Sequence, residues 1–240
     1  MAEEMNYSQL LQQEYDNHGT SWTRNQFFDR NGYLVIKNLC DPKKLFHPVP
    51  QLRGQLNYRS KNLNDFEHIE EEKQVKGSVA RYWHPQYRKI HTEIRLILEE
   101  AIGRKLYNTY YYDRFYFPGQ DLTKHADRPA CEISVTVHVS TNLQEQWPIW
   151  IKTPDTFTDR TKLKIESHGE NRCINLEAGD GMVYKGCERP HWREPMPGLL
   201  ETSIKKFKGD KDFLLYYHQI FFHYVLQDGT RAHHAWDMSK

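Results

Sequence analysis

The chain has 240 residues, a net charge of +1, and 38% hydrophobic and 13% aromatic residues. Charge this nearly balanced excludes a global field of the kind that drives nucleic-acid or anionic-membrane binding, and it leaves no clear nucleic-acid signal. No apolar run reaches the roughly 18 residues that read as a membrane span, and the opening MAEEMNYSQLLQQEYDNHG is polar and acidic, unlike a signal peptide. A soluble, cytoplasmic protein with no membrane partner is expected, folded as one domain over residues 1–240. Cys40, Cys131, Cys173 and Cys187 are scattered without CxxC pairs, so reduced thiols are expected.

In chain order, residues 7–17 carry a weak amphipathic pattern, and Thr23 to Arg30 reads as a second short helix closed by Asn31-Gly32. Gly32 to Leu39, GYLVIKNL, is apolar and β-branched and stops at Asp41-Pro42, which predicts a first strand. Residues 43–83 show little period, and the charge run Glu67 to Lys73 reads as a solvated surface helix or a mobile loop. Tyr87, Ile90, Ile94, Ile97, Leu98 and Ala101 recur at helical spacing before Gly103, so a helix is expected there with its apolar stripe against a sheet.

From Leu106 the texture changes to short aromatic or β-branched runs separated by turn formers. The runs are Tyr107 to Phe117, Glu132 to Ser140, Trp147 to Lys152, Cys173 to Leu176, Gly181 to Tyr184, Pro190 to Arg193 and Phe213 to Leu226. Strands at this spacing after helical support predict an α+β barrel or sandwich. The lysine-rich stretch Gly198 to Lys211 reads as a surface insertion, and 227–240 as a C-terminal tail.

Chemistry concentrates in Tyr116 to Asp127, YFPGQDLTKHAD, and in GDGMVYKGCERPHWREP, which contains His191. His125 and Asp127 are two apart, so on an extended strand both leave one face. A distant imidazole would complete two His and one carboxylate, the facial set of non-haem Fe(II) oxygenases. Taken singly, His125 and Asp127 equally describe a surface hydrogen-bonded pair, and His191 a core histidine satisfied by a carbonyl. His218, His223, His233 and His234 read as structural or exposed.

The flanks decide between these readings. Tyr116, Pro118, Gly119, His125 and Asp127 resemble the YxPGxxxxxHxD signature of prolyl 4-hydroxylase-type Fe(II)/2-oxoglutarate oxygenases, and Gly179-Asp180-Gly181 followed by His191 to Pro195 is similar to that family's second motif. The resemblance covers about 106–226 and begins more loosely at Asn31 to Leu39. It implies a double-stranded β-helix, of jelly-roll or cupin type, with residues 1–105 as mainly helical support. It implies Fe(II) held by His125, Asp127 and His191, 2-oxoglutarate and dioxygen as cosubstrates, and room for ascorbate as an accessory. The implied reaction is oxidative decarboxylation to succinate coupled to hydroxylation of a C–H bond, a prolyl residue of a protein or peptide being the first expectation. A free amino acid, small metabolite or nucleobase is the second, and a barrel without turnover that binds a partner is the third.

One departure is informative. The family places a Lys or Arg on the last barrel strand to pair with the far carboxylate of 2-oxoglutarate, whereas Leu200, Glu201 and Thr202 occupy the corresponding stretch here, or Tyr217 if 198–211 is inserted. Arg193, two residues past His191, is the expected replacement, with Tyr116 and Tyr217 adding hydroxyls. An ion pair of Arg193 with Glu194 or Glu188 is the competing account, and Lys205, Lys206 or Arg128 are then the substitutes. Arg114 and Arg128 bracket the motif and read as surface arginines beside a loop or as groups that orient a substrate or cosubstrate, and Glu132 and Ser134 read as groups that steady a ligand or as plain strand alternation.

Overall fold

The computed structural model describes residues 24–45, 68–71, 74–154, 169–198 and 215–237. Residues 7–17 and 199–211, and with them Lys205 and Lys206, lie outside the described residues. Helix α1 (Arg24–Asn31) leads into β1 (Tyr33–Ile36), a turn of helix α2 (Pro42–Leu45), β2 (His68–Glu71), β3 (Val79–Tyr82) and the long helix α3 (Tyr87–Ile102). The remaining strands are β4 (Leu106–Tyr116), β5 (Leu122–His125), β6 (Ile133–Thr141), β7 (Ile149–Thr153), β8 (Glu170–Ile174), β9 (Gly181–Lys185), β10 (His191–Arg193) and β11 (Tyr217–Leu226).

All pairings are antiparallel. They form a seven-stranded sheet in the order β1-β9-β6-β11-β4-β3-β2 and a four-stranded sheet in the order β5-β10-β7-β8. The two sheets face each other, as the ring contacts of Trp147 with Tyr116 and Tyr217 and of Tyr184 with His191 show. This is the double-stranded β-helix expected from the sequence.

Helix α3 lies on the other face of the large sheet. Its Tyr87, His91, Ile94, Leu98, Ala101 and Ile102 are buried, with His91 packed on Tyr111, Phe222 and Tyr224, and the helix ends at Gly103 with φ 68°. Ile97, counted in the apolar stripe by spacing, is instead exposed. Strands β4, β6 and β11 are covered on both faces, which is why they read as nearly continuous apolar and aromatic runs with little alternation. A buried polar cluster ties this face together: Asp113 on β4 accepts from Arg81 on β3, from Tyr87 Oη at 2.9 Å and from His218 Nε2 at 2.8 Å.

The structure corrects several expectations. Within the charge run, His68 to Glu71 form strand β2 paired with β3, so edge pairing in a large sheet overrides the polar composition. Strand β3 itself falls in a stretch that lacks period. The first strand stops at Ile36, short of Leu39. The tail is anchored: Arg231 meets Glu132 at 3.0 Å and Asp237 meets Arg128 at 3.0 Å. Among the described residues the four cysteines form no disulfide. Among the described residues no helix is long and apolar enough to cross a membrane.

Candidate metal centre

His125 closes β5 and His191 opens β10, and the two residues are register partners across the antiparallel pair. Strand β5 ends at His125, so the carboxylate does not arrive by strand alternation. Asp127 is set by its own backbone, which donates to the Gly186 carbonyl at 2.8 Å. Its Oδ1 then lies 3.5 Å from His125 Nε2 and 3.5 Å from His191 Nε2. One ligand atom from each of the three residues falls within 4.8 Å of the others. The site faces outward on the side of His125 and Asp127, which are partly exposed, and inward on the side of His191, which is buried.

Each imidazole is held in the tautomer a metal requires. His125 Nδ1 donates to the Thr123 carbonyl at 2.8 Å, and His191 Nδ1 donates to the Arg189 carbonyl at 3.0 Å. Both Nε2 lone pairs therefore point at the gap shared with Asp127. Burial pulls His191 down to about 4, so it is neutral at pH 7. Burial alone would raise Asp127, but the neighbouring His191, His125 and His223 outweigh it and hold the carboxyl well below the usual range. One carboxylate with two imidazoles is the donor set that suits a divalent first-row metal.

Behind Asp127 stands a second layer. Ser134 Oγ on β6 donates to Asp127 Oδ2 at 2.8 Å and lies 2.9 Å from His223 Nδ1 on β11. Gly186 leaves room for this arrangement: a Cβ there would come 2.4 Å from Asp127 Oδ2 and 2.8 Å from Ser134 Oγ. Ser134 thus touches a candidate ligand, while Glu132 does not. Its carboxylate accepts from the Leu226 backbone and Arg231 instead, away from the ligands. His223 and Gly186 were missed by sequence reasoning. Two-residue alternation from Tyr217 through Gln219 and Phe221 was the available signal for His223.

The interior between the sheets is polar and incompletely satisfied. Arg193 is 1% exposed; its Nη1 donates to the Trp147 carbonyl, and its Nη2 lies 3.4 Å from Tyr217 Oη. Its guanidinium also sits 4.5 Å from the Trp147 ring centroid and 4.6 Å from that of Tyr217. Arg193 meets no carboxylate among the described residues, because Glu188 pairs with Arg189 and Glu194 accepts from Trp192. The competing ion-pair account of Arg193 therefore fails. Among the described residues, Arg193 Nε, both amide atoms of Gln219, Thr136 Oγ1 and His138 Nε2 are buried without a hydrogen-bond partner. Orphaned polar atoms converging on one interior fit a small polar ligand, an anion above all at the guanidinium.

The two bracketing arginines also differ from expectation. Arg114 is 1% exposed; it donates to Tyr116 Oη and to Gln74 Oε1, both at 3.0 Å. Arg128 lies over the Tyr110 ring and pairs with Asp237. Tyr116 is buried at the register partner of Tyr217, on the wall facing Trp147.

No protein-family model and no curated protein matches the sequence. Solved structures do. HygX from Streptomyces hygroscopicus, solved with nickel, 2-oxoglutarate and hygromycin B bound, is 10% identical over 85% of this chain and 87% of its own, with a TM-score of 0.56. The α-ketoglutarate-dependent carbocyclase SnoK from nogalamycin biosynthesis is 14% identical over 90% of each chain, with a TM-score of 0.53. The chain has the fold of the Fe(II)/2-oxoglutarate oxygenases. A third oxygenase structure, the epimerase SnoN in complex with Fe3+, α-ketoglutarate and nogalamycin RO, is 12% identical over 82% of this chain and 80% of its own, with a TM-score of 0.51. Within this oxygenase fold, His125, Asp127 and His191 form the His/Asp/His cluster at the mouth between the sheets.

Proposed function

We propose that the chain is an Fe(II)- and 2-oxoglutarate-dependent oxygenase that hydroxylates a substrate C–H bond, its metal held by His125, Asp127 and His191. The observation that carries this reading is the convergence of the three ligand atoms within 4.8 Å, with both Nδ1 atoms committed to backbone carbonyls. Fe(II) held there would supply the oxidation chemistry, coupling decarboxylation of the keto acid to succinate with transfer of one oxygen atom of dioxygen to the substrate.

The chain's own groups do the rest. The Asp127 anion offsets the metal's charge, and Ser134 fixes which of its oxygens turns toward the histidines. Arg193 takes the far carboxylate of 2-oxoglutarate through its fork, assisted by Tyr217, whose phenol burial keeps protonated and therefore a donor. Tyr116 contributes a hydroxyl on the same wall. Gln219, His138 and Thr136 supply the remaining polar partners of a dry interior. The exposed side of His125 and Asp127 is left for the substrate.

For that substrate we infer a prolyl residue of a protein or peptide, on the likeness of Tyr116, Pro118, Gly119, His125 and Asp127 to the prolyl 4-hydroxylase signature. A small-molecule substrate is the second reading, favoured by the hygromycin B and nogalamycin RO bound in the solved neighbours. The deciding experiment supplies Fe(II) and 2-oxoglutarate and measures succinate and carbon dioxide, then repeats the assay with His125, Asp127 and His191 replaced in turn. Well-folded protein that neither binds metal nor forms succinate sinks the reading. Metal binding without dependence on 2-oxoglutarate indicates a cupin-type enzyme that uses no keto acid. Stimulation of succinate formation by proline-rich peptides, and not by free amino acids, separates the two substrate classes.

A further inference from the structure

Gln74 belongs to no strand or helix and precedes β3, yet its side chain reaches the metal ligands. Its Nε2 lies 2.9 Å from His125 Nε2. Because His125 Nδ1 already donates to the Thr123 carbonyl at 2.8 Å, Nε2 is the bare lone pair and the Gln74 amide is the donor. The amide's orientation is fixed from its other end, where Arg114 Nη2 donates to Gln74 Oε1 at 3.0 Å. Arg114 is in turn immobilised by its bond to Tyr116 Oη and by its position over the Tyr112, Tyr116 and Phe221 rings. A relay of donors thus runs from a buried guanidinium, through an exposed amide, to the lone pair that must bind the metal.

We propose that Gln74 is a positioning residue that competes with the metal for His125. In the metal-free protein it caps the lone pair of an imidazole whose orientation the Thr123 carbonyl already fixes. Metal entry displaces the amide from His125, while Arg114 keeps its oxygen tethered beside the centre. This rests on the His125, Asp127, His191 reading of the metal centre. It adds a prediction of opposite sign to the ordinary one. A residue that merely supports a site weakens metal binding when removed, whereas removing a competitor strengthens it.

The test is a Co(II) titration of the full-length metal-free protein followed by its visible absorption. Gln74→Met keeps the bulk and loses both amide functions, and Gln74→Ala controls for the methionine itself. Both variants are expected to bind Co(II) roughly three- to tenfold more tightly than the native chain, the worth of one neutral hydrogen bond. Gln74→Glu, which keeps an oxygen for Arg114 and puts a carboxylate beside the cation, is expected to bind more tightly still and to alter the cobalt absorption bands. Unchanged or weaker binding in Gln74→Met and Gln74→Ala overturns the proposal and leaves the triad standing. Failure of the native protein to bind Co(II) removes the triad, and the role of Gln74 with it.

Discussion

His125 and His191 stand directly opposite each other on β5 and β10, with ring centroids 4.4 Å apart. Opposed residues of an antiparallel pair share a face, so strand register alone assembles two of the three ligands. A slip of one residue would present Trp192 in place of His191. The site is thus as rigid as the pairing that makes it. Replacing His191 by Ala is expected to lower Co(II) affinity by more than about 100-fold, beyond what losing an outer hydrogen-bond partner costs. Calorimetric titration checks this, with circular dichroism showing that the barrel is retained. Native-like affinity would exclude His191 as a ligand.

Arg193 is a buried guanidinium that meets no carboxylate among the described residues, and its surroundings are a carbonyl, a phenol and two aromatic rings. Such a charge is costly to bury unless an anion joins it. Arg193→Met is expected to raise the 2-oxoglutarate concentration needed for half-maximal succinate formation by at least about tenfold, since a buried charged contact is worth roughly 2 to 5 kcal/mol. Arg193→Lys, which keeps the charge and loses the fork, should fall between. An unchanged requirement moves the carboxylate to Arg114 or to a residue outside the interior.

How much of this was legible follows from what sets each feature. The helix at Tyr87–Ile102 and the core strands announce themselves because their burial is periodic or continuous along the chain. Strands β2 and β5 do not. They are four residues each, polar, and defined by the partner beside them. At the centre, His125, Asp127 and His191 were readable because motif spacing encodes them. Ser134 was suggested by alternation, while His223, Gly186 and Gln74 are brought in by non-local pairing and close approach. Arg114 and Arg128 were read as surface residues because sequence cannot tell which face of β4 the barrel closes over, or that the tail folds back onto Arg128.

Four buried histidines make the metal-free protein sensitive to acid. Burial lowers His91 to about 3 and His138, His191 and His223 to about 4, against an ordinary value of 6.5. Folded-state values below the unfolded one mean that the unfolded chain takes up protons first. The stabilisation is complete above 6.5 and is lost as pH falls below it, at about 1.4 kcal/mol per pH unit for each histidine. Asp113 and Asp127, held low, add their loss only below the ordinary carboxylate range. Denaturant unfolding of metal-free protein at pH 7 and pH 5 is expected to show a marked drop. Equal midpoints at the two pH values would contradict burial of neutral imidazoles.

Gly186 supports Asp127 from behind without being a ligand itself. Its backbone carbonyl accepts from Asp127 N at 2.8 Å and its N–H donates to the Glu132 carbonyl at 3.0 Å, so the residue is fixed on both sides. An added methyl would stand 2.3 Å from the Cys131 carbonyl oxygen, 2.4 Å from Asp127 Oδ2 and 2.8 Å from Ser134 Oγ. The first of these is backbone and cannot move aside cheaply, so the Asp127 carboxylate must give way and part from Ser134. Gly186→Ala is therefore expected to weaken Co(II) binding by roughly 10- to 100-fold, the range for disturbing a ligand's outer partner. Ser134→Ala, which removes the same hydrogen bond without a clash, should fall toward the lower end of that range and keep native stability more closely. If Gly186→Ala binds cobalt as the native chain does, Asp127 is not held where the structure places it.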